Sequence, residues 1–219
     1  MKLPEPTGGG DFERTPPGTH LALCYRFIDL GTQTSTWNGQ EKHQRKVMIS
    51  WELPEELMKE GEYAGKPFTI HQRYTWSMSE KANLRKDLEA WRGRPFRDSD
   101  FGDHDDAFDI KNILGKACLL GLIEVEKGDK VYTNIASVSA LPKGMNAPTE
   151  PVNPQVYFAL TEGEFNNDDF GDLSENLQKT IASSPEYKTL TGEIAPQPSE
   201  SVGHAHEHIP EDAYTDGPF

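Results

Sequence analysis

Aromatic rings and basic side chains occur together at four places in this sequence. Trp37, Lys42, Arg45 and Lys46 lie in or beside one polar segment, 32–45. Arg73, Tyr74 and Trp76 crowd into a second, Arg94 stands between Arg92 and Arg97 in a third, and Lys130 and Tyr132 sit in a fourth. A flat exposed ring can stack on a nucleobase, a contact of roughly 1–3 kcal/mol that tolerates any base. A Lys or Arg beside it neutralises phosphate and releases counterions, so binding weakens with salt. Together these residue types suit a single strand of nucleic acid.

Other chemistries have less to stand on. Asp103-His104-Asp105-Asp106 has ligand types for a divalent ion, as in a nuclease, but consecutive carboxylates without a second distant cluster are a weak signal, and a solvated loop is the simpler reading. His204, His206 and His208 alternate in a Pro- and Ser-rich stretch, where only adventitious metal binding is expected. Cys24 and Cys118 lie far apart in apolar runs and read as buried free thiols in a reducing cytoplasm. There is no Ser-His-Asp elbow, phosphate-cradling Gly-rich loop or Cys/His zinc spacing. No enzyme, resident metal or cofactor is expected.

The charge divides the chain. Of the formal −14, residues 1–145 carry 20 Lys and Arg against 22 Asp and Glu, a net of −2. Residues 146–219 carry 2 against 14, a net of −12. The overall pI of 4.9 therefore says little about the front, which is near neutral and free to meet a polyanion. No apolar run approaches the roughly 18 residues of a membrane helix, and the N-terminus lacks a signal core. A soluble, cytoplasmic protein is expected.

The elements that must position these residues follow from periodicity. Residues 1–18 read as a flexible Pro/Gly arm. A strand over His20–Gly31 is apolar on both sides and so belongs deep in a sheet. After the polar loop Thr32–Arg45 come strands over Lys46–Leu53 and Pro67–Met78. Ser77 with Glu80 forms a capping box, Leu84, Leu88 and Trp91 keep helical spacing over Glu80–Arg92, and Gly93 stops the helix. A short helix over Ala107–Leu114 precedes strands Lys116–Glu126 and Lys130–Leu141, joined at Gly128-Asp129. Three strands, a helix and a two-stranded hairpin is the order of an OB-fold, a five-stranded Greek-key barrel with a helix between strands three and four. Such barrels bind along strands two and three and the neighbouring loops. On strand three Tyr74 and Trp76 share a face with Phe68 and Ile70, so one or both can instead be core, and Arg73 points the other way. Trp51 and Trp91 read as core. The chain thus divides into an arm, a domain over 19–145, an acidic extension over 146–189 with a short amphipathic helix at Leu173–Ser183, and a disordered tail over 190–219.

The segments YRFIDLG (Tyr25–Gly31), KVMISWELP (Lys46–Pro54), YTWS (Tyr74–Ser77), KANLRKDLEAWRGRPF (Lys81–Phe96), FDIKNILGKAC (Phe108–Cys118) and SENLQKTIASSPEY (Ser174–Tyr187) resemble a family of tailed-phage and prophage proteins described as single-stranded-DNA-binding replication proteins. The resemblance implies an OB-fold and a part in phage DNA replication, recombination or repair. The last residues, Asp212 through Asp216-Gly217-Pro218-Phe219, resemble the acidic tip of bacterial single-stranded-DNA-binding proteins. That likeness implies partner docking, with Phe219 in an apolar pocket behind Pro218, its carboxylate captured by a cation, and Asp212 and Asp216 on a basic rim. Gly217 departs from the Ile of that pattern. The expected partners are single-stranded DNA and replication or recombination proteins, with homo-oligomerisation left open. The alternatives are an OB-fold adaptor that does not bind DNA and a divalent-metal nuclease.

Overall fold

A computed structural model of the chain describes residues 13–128 and 130–193, apart from the side chain of Trp37. The tip residues Asp212, Asp216, Pro218 and Phe219, the three tail histidines and most of the N-terminal arm lie outside the described residues.

The expected loop at 32–45 is not a loop. Strand β1 runs over Gly18–Trp37 and β2 over Gln40–Leu57, joined by the two residues Asn38-Gly39. Both have positive φ, 49° and 77°, the geometry of a hairpin turn that matches strand twist. The polar residues between then pair across the ribbon, Thr34 with His43 and Ser35 with Lys42, and the Thr34 hydroxyl meets His43 Nδ1 at 2.9 Å. Strand polarity here reflects a ribbon wetted on both faces, which alternation with a buried face does not reveal.

Strand β3 (Pro67–Thr75) pairs antiparallel with β2. Helix α1 covers Asn83–Arg92, three residues later than the expected start. Ser77 does not cap it; its hydroxyl accepts from Ser79 N instead, and Ala82 holds the N-cap position. Gly93, at φ 68°, does end it. The expected short helix is a 3-10 turn, Ile110–Ile113, capped by the Asp109 side chain. Strands β4 (Ala117–Lys127) and β5 (Lys130–Ser139) form the last hairpin. The protein is mainly β, with sheet order β3-β2-β1-β4-β5. No ladder joins β3 to β5 among the described residues; α1 instead touches both of these edge strands.

One face of the sheet buries the main core. Val47, Ile49, Trp51 and Leu53 of β2 meet Leu84, Leu88 and Trp91 of α1, and Trp91 Nε1 donates to the Ala117 carbonyl at 2.8 Å. Both thiols lie in this core as free cysteines; burial pushes Cys24 up to about 12 and Cys118 well above its ordinary value.

The other face explains why β1 is apolar on both sides. After Pro142 the chain returns as β6 (Val156–Phe158), parallel to β1 at Arg26–Ile28, the stretch beyond the β4 pairing that ends at Leu23. Short helices α2 (Asn167–Gly171), α3 (Glu175–Ala182) and α4 (Pro185–Leu190) follow. Leu173, Leu177 and Ile181 close a second core with Ile28, Leu30, Met48, Phe158 and Leu160. The acidic extension is therefore packed against the sheet. Gly31 (φ 70°) lies so close to the bend between α3 and α4 that a Cβ there would stand 2.4 Å from Ser184. Ile181 is fully buried; Ile181→Ala should cost about 2–5 kcal/mol in denaturant unfolding through loss of contacts and a residual cavity.

Two buried carboxylates fasten this extension. Glu52 accepts from Val152 N (2.7 Å), Asn153 N (2.8 Å) and Asn153 Nδ2 (2.7 Å). Asp29 accepts from Gly31 N (2.9 Å), Leu160 N (3.2 Å) and Arg45. No helix among the described residues is long and apolar enough to cross a membrane.

Candidate functional site

The outer face of β1–β2–β3, where the extension does not cover it, carries a run of basic side chains. The period of two places Lys42, Lys46, Met48, Ser50 and Glu52 on this face of β2, and Thr69, His71, Arg73 and Thr75 on this face of β3. A register irregularity in β1 between Cys24 and Arg26 brings Arg26 opposite Ser50, which in turn lies opposite His71. Cations therefore follow one another across three strands. Lys46 Nζ donates to Thr75 Oγ1 at 2.9 Å. Glu52, the acid on the same face of β2, is fully buried and satisfied by residues 152–153. Next to this face the second core builds a wall over Ile28, Leu30 and Met48.

Two ribbons project from opposite ends of β1. The β1–β2 ribbon ends at Asn38-Gly39, with Trp37 paired to Gln40 at its tip. The β4–β5 ribbon extends past the Gly18–Leu122 pair to Lys127 and Lys130, and half-buried Tyr132 stands opposite Val125 there.

Several expected contact residues have other work. Tyr74 is 4% exposed in the main core, and its hydroxyl donates to Asp87 Oδ2 at 2.8 Å; it cannot stack on a base. Burial raises Asp87 from its ordinary value against the opposing pull of that hydrogen bond. Tyr74→Phe should cost about 1 kcal/mol in chemical denaturation and leave oligonucleotide affinity unchanged. Arg45 is bound to Asp29 and donates to the Leu160 carbonyl at 3.2 Å. Burial opposes its charge, but the hydrogen bonds and charge of Asp29 outweigh this and raise its pKa. Its guanidinium fixes the extension to β1 and is withdrawn from phosphate contact.

Trp76 is 42% exposed, away from the basic face. Its ring meets Phe27 edge-on at 5.9 Å, and Phe27 stacks on Tyr157 at 5.7 Å. Trp76 also lines a cleft of about 250 Å³ with Met78, Phe96, Phe101 and Phe108. Arg94 is exposed beyond the end of α1, the helix on the main-core side of the sheet, so it does not join the basic run. His104, in the acidic loop, bonds the Phe101 carbonyl at 2.9 Å, and no three His, Cys, Asp or Glu side chains among the described residues are grouped to hold a metal ion.

Arg26 and His71 were missed as site residues by sequence reasoning. His71 was visible as the residue two before Arg73 on the same strand face. Arg26 was hidden because unbroken alternation puts it on the wrong side; only the register shift turns it to the outer face. No protein-family model matches the chain, and no curated protein matches it.

Proposed function

We propose that this protein binds single-stranded DNA, with little sequence preference, along the outer face of β1–β2–β3, and that it serves phage DNA replication or recombination. The observation that carries the reading is the run Lys42, Lys46, Arg73, His71 and Arg26 on one face between two projecting ribbons. Groups spaced along adjacent strands suit the repeating charges of a backbone, and counterion release supplies the affinity. Trp37 at the β1–β2 tip, and Lys130 and Tyr132 on the β4–β5 ribbon, extend the path at either end.

The scaffold we infer is an OB-type Greek-key barrel. Its support is the pairing order β3-β2-β1-β4-β5 with a helix between β3 and β4. Helix α1 spans the seam between β3 and β5, where an OB barrel closes. The extension is an addition to that scaffold and forms one side of the groove. The acidic tip, Asp212, Asp216, Pro218 and Phe219, is the proposed docking element for replication or recombination proteins, on the strength of its sequence alone.

Labelled oligothymidine should shift in a native gel at low salt, with a duplex of the same length shifting far less and added salt releasing both. No shift at any salt concentration would sink the reading in favour of an adaptor. Of the net −12 behind Met145, residues 146–193 hold 9 acids against 2 bases, and residues 194–219 hold 5 acids and no Lys or Arg. An acidic tail can occupy the basic face as a DNA mimic at low salt; truncation after Met145 would remove β6 and the second core as well, so this competition is tested by truncation after Glu193. That shortened chain should bind oligothymidine more tightly at low salt by about threefold through loss of like charge; equal or weaker binding would refute competition.

A further inference from the structure

We propose that the cleft between Trp76 and Phe108 docks a partner protein, through a segment that presents one large apolar side chain flanked by Lys or Arg. The cleft lies on the main-core side of the sheet, away from the basic run, and its role does not depend on the DNA-binding reading.

The floor is aromatic and only partly covered. The end of β3 brings Trp76 to the sheet edge, and the chain between α1 and β4 folds Phe96, Phe101 and Phe108 beside it. Phe96 stacks on Phe101 at 5.5 Å and meets Phe108 edge-on at 5.3 Å. Trp76 is 42% exposed, and Met78, Phe101 and Phe108 are half-buried. Apolar surface left open in one place marks a contact site. The space, about 250 Å³, is smaller than the roughly 300–1,000 Å³ of pockets that enclose small molecules. It suits one anchoring side chain.

Two arginines lie against these rings, and both are already paired. Arg92 sits 4.0 Å over Phe96 and 4.6 Å over Phe108, and bonds Asp100 at 3.2 Å. Arg85 sits 5.7 Å over Phe101 and bonds Glu89 at 2.9 Å. These pairs fix the rings as a wall and add no net charge. The charge of the rim comes from the segment that joins Phe101 to Phe108. Asp103, Asp105 and Asp106 stand on it, with no Lys or Arg among them. The segment is held in shape: His104 bonds the Phe101 carbonyl, Ala107 N donates to the His104 carbonyl, and Phe108 N donates to the Asp100 carbonyl, each at 2.9 Å. The three carboxylates are exposed and have no hydrogen-bond or ion-pair partner among the described residues. Asp98 is in the same state, and exposed Arg94 and Arg97 offset two of these four charges. The rim stays acidic.

Charge decides between occupants. A carboxylate rim repels a DNA phosphate, and it repels this chain's own tip with Asp212 and Asp216. A second copy, at −14, is disfavoured for the same reason. A cationic segment meets the rim with its Lys or Arg and the floor with its apolar side chain. Anchors of this kind, seated in a pocket, carry most of the affinity of protein interfaces.

The test uses the full chain to select from a library of random short peptides. Trp76→Ser and the triple variant Asp103→Asn, Asp105→Asn, Asp106→Asn are screened beside it. The native chain should enrich peptides that place Leu, Phe or Trp between Lys or Arg. A labelled peptide of that consensus should lose about tenfold or more in affinity with W76S. It should lose about tenfold with the triple variant at low salt, and less as salt is added. The triple variant removes exposed side chains that bond nothing, so it keeps the fold and tests the rim by itself. Saturating oligothymidine should leave peptide affinity within about twofold, as separate faces require. No enrichment, an acidic consensus, or a consensus that both variants bind as well as the native chain would overturn the proposal. Self-association in sedimentation that W76S abolishes would assign the cleft to a second copy and overturn the partner. Peptide selection that succeeds while oligothymidine fails to bind would uphold the docking cleft and sink the DNA-binding reading.

Discussion

Asp29→Ala should destabilise the protein by about 3 kcal/mol and loosen the extension from the sheet. The Asp29 side chain is 6% exposed, and the Arg45 it pairs with is 33% exposed. Removing one member of a buried pair leaves the other charge without compensation, which costs about 3–5 kcal/mol; the solvent that reaches Arg45 places the effect at the lower end. Gly31 N and Leu160 N lose their acceptor in the same change. Asp29→Ala with Arg45→Met should recover a large part of the loss, because no charge is then left stranded. Urea unfolding gives the energies. Limited proteolysis gives the location: cleavage between Pro142 and Gln155 should quicken well before the main core opens. A single change that leaves both stability and cleavage unaltered would show that this pair does not hold the extension.

The second large effect concerns binding. Lys42→Glu, Lys46→Glu and Arg73→Glu in one protein should lower oligothymidine affinity at low salt by about a hundredfold or more. The logarithmic salt dependence should flatten by roughly two, since each single-strand phosphate contact contributes about 0.7. These side chains lie on the outer face of β2 and β3, none of them in either apolar cluster, so the fold should survive. Arg94→Glu, beyond α1 on the other side of the sheet, should change affinity by about threefold or less, because charges at that separation are screened. Equal losses from both proteins would mean that net charge, not the outer face, governs binding.

The strands and the helix were legible where one face is buried. Apolar alternation marks the middle of β2 and all of β3, the stripe Leu84, Leu88 and Trp91 marks α1, and Gly93 marks its end. What alternation could not show was the ribbon 32–45, because a ladder wetted on both sides leaves no apolar trace. Asn38-Gly39 was the readable signal for it. The packed extension was equally hidden. Its apolar residues, Val156–Leu160, Leu173, Leu177 and Ile181, are short runs that acquire a partner only when β1 offers Ile28 and Leu30 on its second face. The double apolarity of β1 was the trace of that partner, read from the wrong end.

Of the candidate site, the lysines of β2 and Arg73 were readable from residue type and alternation. Tyr74 was readable as core from the face it shares with Phe68 and Ile70, whereas Arg45 was not separable from the lysines, because only its tertiary pairing with Asp29 occupies its guanidinium. Arg26 required a register shift that its own sequence does not announce.

Backbone chemical-shift mapping with oligothymidine tests the central claim most directly. Perturbations should concentrate on Arg26, Lys42, Lys46, Ser50, His71 and Arg73, and reach the tip of the β1–β2 ribbon. Saturating perturbation confined to α1 and the cleft around Trp76, Phe96 and Phe108, or no perturbation at low salt, would contradict the account.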